Sequence, residues 1–261
     1  MKRAPSLRHG IFISLAFCYV LALSVIARAS PHGEISNDLV RKVTMLIKEI
    51  KKDVVLTGTP EIEPKVYESI RRTLRHKFVI AKHEAQAYGN YPLPIGYGQT
   101  ISQPFIVALM TNLLKTEAHH KVLEVGTGSG YQAAVLSPLV KEVHTVEIIK
   151  ELATSAKARL EELNYKNVKV YSQDGYDGIK KEAPFDGIIV TAAASHIPPP
   201  LIEQLKVGGR MVIPVGTPFQ VQNLVLLEKT SDKKDGLIIK DVLPVRFVPF
   251  TGSRSHEPST K

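Results

Sequence analysis

Val122-Leu123-Glu124-Val125-Gly126-Thr127-Gly128-Ser129-Gly130 is an apolar run that breaks into three glycines, each one residue from the next, just before a helical pattern opens at Tyr131. Glycines in such a place let a strand turn sharply into a helix. They also let backbone approach a ligand where a Cβ would intrude. Glu147 closes the next apolar run, at the spacing where an acid bonds a pair of ribose hydroxyls. The expectation is a nucleoside bound at the switch point of a parallel sheet.

Short apolar runs alternate with helical stretches around this loop. Strands are expected at 121–125, 142–147, 168–172, 187–191 and 209–214, with helices at 131–137, 149–163 and 199–205 between them. That alternation indicates a parallel sheet covered on both faces. Two further β-rich runs, 222–229 and 237–247, flank a polar turn and read as a hairpin at the sheet edge. Upstream, Leu39, Val40, Val43, Leu46, Ile47 and Ile50 repeat with helical period over 34–56. Val66, Ile70 and Leu74 continue in steps of four after Pro64. A third helix is expected from Ser102 to Leu114, with Pro104 in its first turn. The stretch 87–98, dense in Pro and Gly, is expected to be an ordered loop. The fold class is therefore α/β: a doubly wound, mostly parallel sheet with N-terminal helices and a C-terminal β-hairpin.

Two details argue against a dinucleotide. The third glycine falls one residue earlier than in the dinucleotide fingerprint, and Glu124 stands where its charge would repel a pyrophosphate. The same carboxylate suits a ligand with a cationic amino-acid end, and S-adenosylmethionine offers ribose, adenine, an ammonium and a sulfonium without phosphate. Gly126, Thr127, Gly128 and Gly130 are then the binding loop, Glu124 and Glu147 its two acids. Asp174-Gly175, after the third strand, is expected beside the adenine. After the fourth strand, Thr191-Ala192-Ala193-Ala194 lacks the oxygens that hold an amino group for methylation, and its small residues are expected to leave room for a bulky acceptor.

Composition narrows the partners. The formal charge is +9, but Lys2, Arg3, Arg8 and Arg28 supply four of those charges within the first 29 residues, leaving +5 for the rest. With no Trp and an aromatic share of 7%, few side chains could stack on bases, so no nucleic-acid partner is expected. The basic start, the apolar run 11–26 and Ala27-Arg28-Ala29 together read as an export signal with a small-x-small cleavage site, and the run is short for a membrane anchor. Three parts result: a signal segment 1–29 (or an anchor), N-terminal helices with a substrate loop over 30–98, and a donor-binding core with the hairpin over 99–261. Cys18 is the sole cysteine and lies in the segment to be removed, so the mature chain has no thiol for disulfides, catalysis or metal. His83, His119, His120 and His196 show no metal-ligand spacing and are expected at surfaces or in loops; no metal site is expected.

Three further segments carry a resemblance: Pro94-Ile95-Gly96-Tyr97-Gly98-Gln99-Thr100-Ile101-Ser102-Gln103-Pro104, then Pro184-Phe185-Asp186-Gly187-Ile188-Ile189-Val190-Thr191-Ala192-Ala193, and Pro244-Val245-Arg246-Phe247-Val248-Pro249. Over about 74–252 the chain resembles the protein-L-isoaspartate O-methyltransferases. The resemblance implies a Rossmann-like class I methyltransferase fold and S-adenosylmethionine as co-substrate. The implied reaction is esterification of the free α-carboxylate that an isoaspartyl linkage exposes in damaged proteins. It marks Ser102 as the active-site group, a hydroxyl donor that orients the acceptor carboxylate or the surroundings of the methyl donor, with Thr100, Ile101 and Gln103 lining the same pocket. Read without it, Ser102 before Gln103-Pro104 is a helix N-cap, worth about 1 kcal/mol. Asn90 stands where the resemblance leads one to expect an acid. Two other readings stay open: a methyltransferase for another carboxylate or small molecule, and a catalytically silent nucleoside-binding exported protein. The enzyme is expected to be a monomer without stable membrane association after cleavage. Its place is expected to be outside the cytoplasm, the alternative being the family's usual cytoplasmic setting.

Overall fold

The computed structural model describes residues 36–217, 220–233 and 235–252. The signal segment expected at 1–29 lies outside the described residues. The chain divides into two compact units, 1–42 and 43–261. The described part of the first is the opening of helix α1 (Asn37–Thr57), where Asp38 pairs with Arg41 and Lys42 at 2.7 Å each.

Within the second unit, α1 buries Val43, Leu46, Ile47, Ile50 and Val54, a stripe at helical spacing. Helix α2 (Pro64–Arg72) buries Val66 and Ile70 but stops short of Leu74: Thr73 turns extended (φ −86°, ψ 102°) while its N–H and hydroxyl both close the last turn on the Ser69 carbonyl. The stretch expected as a loop holds a short antiparallel hairpin, β1 (Leu93–Gly96) and β2 (Gln99–Ile101), pairing Leu93 with Ile101 and Pro94 with Thr100. Leu93, Ile95 and Ile101 point inward from it. Helix α3 (Pro104–Leu113) begins two residues later than expected and buries nine of its ten residues.

The main sheet follows the expected alternation. It contains β3 (Lys121–Val125), β4 (Glu142–Glu147), β5 (Val168–Ser172), β6 (Phe185–Val190), β7 (Leu205–Val215), β8 (Gln222–Lys229) and β9 (Leu237–Val245), in the order β5-β4-β3-β6-β7-β8-β9. The first five are parallel to their neighbours; β8 and β9 join antiparallel as the edge hairpin. Helices α4 (Tyr131–Leu136), α5 (Lys150–Glu162) and α6 (Pro199–Gln204) are the crossovers. Period-2 alternation splits the core between the two faces. Val122, Val143, Ile189 and Val212 face the cluster built on α1–α5, while Leu123, Val125, Ile188 and Met211 face the one with Phe185, Leu201 and Phe250. Chain order reverses at β3, so the carboxyl ends of β3 and β6 open the crevice where ligands bind in such sheets.

Candidate active site

The turn after β3 is tight for a specific reason. A Cβ on Gly126 (φ +98°) would lie 2.4 Å from Thr191 Oγ1, and that hydroxyl donates to the Gly126 carbonyl at 2.6 Å. Thr191 also donates its N–H to Val125 O at 2.9 Å, which fixes the end of β6 against the glycine loop. Two residues on, the Gly128 N–H donates to Glu147 Oε2 (2.8 Å) and the Ile149 N–H donates to Oε1 (2.9 Å), so both Glu147 oxygens are held in place at the end of β4.

A narrow cleft runs along this edge. Thr100, Gly126, Gly128, Glu147, Gly175 and Thr191 line it, and Val248, Pro249, Phe250 and Thr251 cover it. It continues inward to a pocket on Ile101, Ser102, Thr127 and Glu124. Glu124 ends that pocket fully buried, and neither carboxylate oxygen has a hydrogen-bond partner among the described residues. Burial pushes its carboxyl up to about 8; the Thr145 hydroxyl and Ala133 N–H nearby ease this in part, and the Glu147 charge adds to it.

On the other side lies a much larger cavity of about 630 Å³. Ser102, Gln103, Phe105, Arg246 and Phe247 form part of its wall, with Asp53 and Leu56 of α1. Thr100 and Thr191 belong to the cleft, the inner pocket and this cavity alike, so the three meet at those two threonines. The Ser102 hydroxyl, half-buried, makes no hydrogen bond to a described residue. It does not cap α3 either. Gln103 is the N-cap and makes no side-chain cap bond, while the Phe105 N–H donates to Asn90 Oδ1 at 2.9 Å. Asn90, the departure from the expected acid, thus caps α3 from a distant loop.

Two expected ligand residues stand apart from these cavities. At Gly130 (φ +86°) a Cβ would meet Leu160 at 3.2 Å, so the glycine lets α4 and α5 pack closely. Asp174 accepts the Tyr176 N–H (2.9 Å), and a Cβ on Gly252 would fall 2.5 Å from its carboxylate, which places it under the C-terminal strap 246–252. The strap is held by Ala193, whose N–H donates to Val248 O and whose carbonyl accepts the Phe250 N–H, both at 2.8 Å. Ala193 and Ala194 are consequently buried and are not open room for an acceptor: their small size lets the strap and Val215 pack directly on the loop. Asp53, Phe250 and Thr251 join the site with no local signal in the sequence, while Val248 and Pro249 lie in the segment 244–249 that carries the resemblance, which by itself gives them no role. Glu117, His119 and His120 bring ligand atoms within 4.8 Å of one another, but at the amino end of β3, the opposite edge of the sheet from the cleft.

Residues 41–255 match the model of the family described as protein-L-isoaspartate(D-aspartate) O-methyltransferase. Protein-L-isoaspartate O-methyltransferase 2 of Syntrophobacter fumaroxidans is 51% identical over 243 residues, which is 91% of this chain and 96% of that one. The protein of the same name from Polaromonas sp. is 54% identical over 217 residues, 83% of this chain and all of its own. A solved protein-L-isoaspartate O-methyltransferase structure aligns with a TM-score of 0.71 at 27% identity, covering 82% of this chain and 67% of that one. A Plasmodium falciparum chain described as a β-aspartate methyltransferase in complex with S-adenosyl-L-homocysteine shares the fold, with a TM-score of 0.63 at 24% identity over 78% of this chain and 97% of that one.

Proposed function

This chain belongs to the protein-L-isoaspartate(D-aspartate) O-methyltransferase family, and we propose from that how its two cavities share one reaction. Its activity is S-adenosylmethionine-dependent methyl esterification of the free α-carboxylate at L-isoaspartyl residues in damaged proteins, the step that starts their repair. S-adenosylmethionine supplies a methyl group on a positively charged sulfur that leaves as a neutral thioether.

The cleft residues fit that ligand. A buried carboxyl with no hydrogen-bond partner among the described residues, Glu124 suits a group that brings an ammonium, with which it ionises, and gives a phosphate no cation to pair with. Glu147, fixed by two backbone N–H groups, keeps lone pairs for ribose hydroxyls. Gly126 and Gly128 keep side-chain carbon out of the cleft, Thr127 and Ile101 wall its inner end, and Gly175 and Thr191 complete the edge. Asp174 and Gly130 act behind them, through the strap and through helix packing. The acceptor carboxylate is already ionised at neutral pH, so no general base is needed. What the chain supplies is alignment, for which up to about 7–11 kcal/mol is available, and exclusion of water. Ser102 donates its hydroxyl to the acceptor carboxylate, and Gln103 holds the peptide beside it.

The observation that carries this division is the junction at Thr100 and Thr191, where a cleft ending on an acid with no hydrogen-bond partner among the described residues opens into a cavity large enough for a peptide. The test is base-labile methyl transfer to a peptide containing isoaspartate against the same peptide with normal aspartate, whose side-chain carboxylate is displaced by one methylene. Equal labelling of both peptides would refute it.

The enzyme is taken to work as a monomer, without metal, with 99–261 holding the donor and, together with Asp53, Leu56, Thr57 and Pro92 from 30–98, walling the acceptor cavity. The basic start, apolar run and Ala27-Arg28-Ala29 support export, with a mature chain starting at Ser30. Among the described residues no helix is long and apolar enough to cross a membrane. Mass spectrometry finding intact Met1 in the cytosolic fraction would overturn export.

A further inference from the structure

Among the described residues Asp53 is the one acidic side chain on the wall of the large cavity, and one of its two carboxylate oxygens is left without a hydrogen bond to them. Oδ2 accepts both the Asn90 amide (Nδ2, 2.8 Å) and the Gln103 amide (Nε2, 3.1 Å). The orientation is forced: the Phe105 N–H can only donate, so Asn90 must turn Oδ1 toward it and Nδ2 toward Asp53. Oδ1 of Asp53 makes no hydrogen bond to a described residue, and no described Lys or Arg forms an ion pair with it. The other charged residue of the wall, Arg246, is exposed and likewise forms no ion pair with a described residue. Gln103, which anchors Asp53, directly follows Ser102, so the carboxylate is tied to the strand end that carries the acceptor-orienting hydroxyl.

A purely structural hub would not need charge here, since an amide oxygen accepts the same two donors. A carboxylate on the wall of the space a peptide fills, with one oxygen not hydrogen-bonded to a described residue, attracts a cation on that peptide and repels an anion. From this geometry we propose that Asp53 is a specificity-determining residue: it makes the acceptor cavity favour isoaspartyl sites flanked by a cationic side chain over those flanked by an anionic one. This rests on the cavity being the acceptor site, as proposed above.

The experiment compares kcat/KM for three isoaspartyl peptides that differ only in a Lys, Ala or Glu next to the isoaspartyl residue, with the intact enzyme and its Asp53→Asn variant. Asn at 53 keeps an acceptor for both amides and removes the charge. The wild type should favour Lys over Glu by about fivefold or more. In Asp53→Asn that ratio should fall toward one, and taking ratios within each variant cancels any general loss of activity. Should the variant fold poorly, the wild type decides alone: its preference should shrink between about 50 and 500 mM salt as screening tightens. An unchanged ratio in Asp53→Asn, or a wild-type ratio of one at low salt, overturns the proposal while leaving the acceptor assignment standing. No methylation of any of the three peptides overturns both.

Discussion

The donor cleft and the acceptor cavity share Thr100 and Thr191 but are built in opposite ways. On the donor side the contacts that set the glycine loop against β4 are close in sequence: Gly128 to Glu147, Glu147 to Ile149, and Thr127 to Thr145 (Oγ1 to Oγ1, 2.6 Å) all lie within one strand-helix-strand step, and only Thr191 and the covering strap reach it from far along the chain. On the acceptor side, Asp53, Asn90 and Gln103 come from segments far apart in the chain, joined to Asp53 by contacts spanning 37 and 50 residues, and the strap adds a fourth segment. Their charges differ in the same sense. Glu124 is buried without a hydrogen-bond partner among the described residues and ionises only against a cation, whereas Asp53 is half-satisfied and lines the open cavity. One half recognises an invariant small molecule through a local motif. The other must take many peptides, and is roomy, rimmed by exposed Leu56 and Val221, and assembled only by the fold.

The contrast predicts separable defects. The largest should follow Glu124→Ala, which removes a charge-assisted contact worth about 1.5–3 kcal/mol. Calorimetry should find S-adenosylmethionine affinity reduced more than tenfold, with NAD binding neither protein, while the KM for an isoaspartyl peptide at saturating donor changes little. Micromolar NAD affinity would contradict the donor assignment. The pH dependence has a defined sign. With its carboxyl up at about 8, Glu124 holds a proton in the ligand-free chain at pH 7, and a cationic ligand favours the ionised form. Binding therefore releases a proton below about pH 8, so affinity should rise with pH up to about 8 and level off above. In the ligand-free chain the same group binds more protons folded than unfolded, so its contribution to stability declines from its ordinary range near 4.5 up to about 8. Glu124→Ala should flatten both trends.

Next in size is Ser102→Ala. Because Ser102 does not cap α3, thermal stability should hold, while turnover drops by tenfold or more, about 1.4 kcal/mol in the barrier. A variant that loses about 1 kcal/mol of stability and keeps its turnover would return Ser102 to a capping role.

A smaller effect should come from Asn90→Asp, which sets a second carboxylate 2.8 Å from that of Asp53. We expect about 1 kcal/mol of stability lost and a raised peptide KM. The swap Asp53→Asn/Asn90→Asp should recover much of the stability, since one donor amide and one carboxylate again face each other. A double-mutant cycle should give a coupling of about 0.5–3 kcal/mol. Strict additivity would break the network. Smallest of all, Val221→Ser on the exposed rim should change peptide KM by about twofold, within about 0.5 kcal/mol, and leave donor affinity alone.

Local physics made much of this molecule legible in its sequence. Strands β3, β4, β5 and β8 lie where runs of apolar residues end at glycines or charges, because side-chain period and turn chemistry act over a few residues. The glycine loop and its two acids were readable for the same reason: they stand a strand and a helix apart. The hairpin β1–β2 was not, since four residues with a Pro among them are too few to show a period of two. Nor does sequence foretell that Arg75 is fully buried, its guanidinium 4.9 Å over the Tyr131 ring and donating to the Tyr91 carbonyl. A basic residue after a helix reads as surface until the fold covers it. The strap over the cleft, the Asn90 cap on α3 and the placing of Asp53 on the acceptor wall belong to the tertiary structure alone. Each depends on segments brought together only by burying the two sheet faces, and no local pattern carries that information.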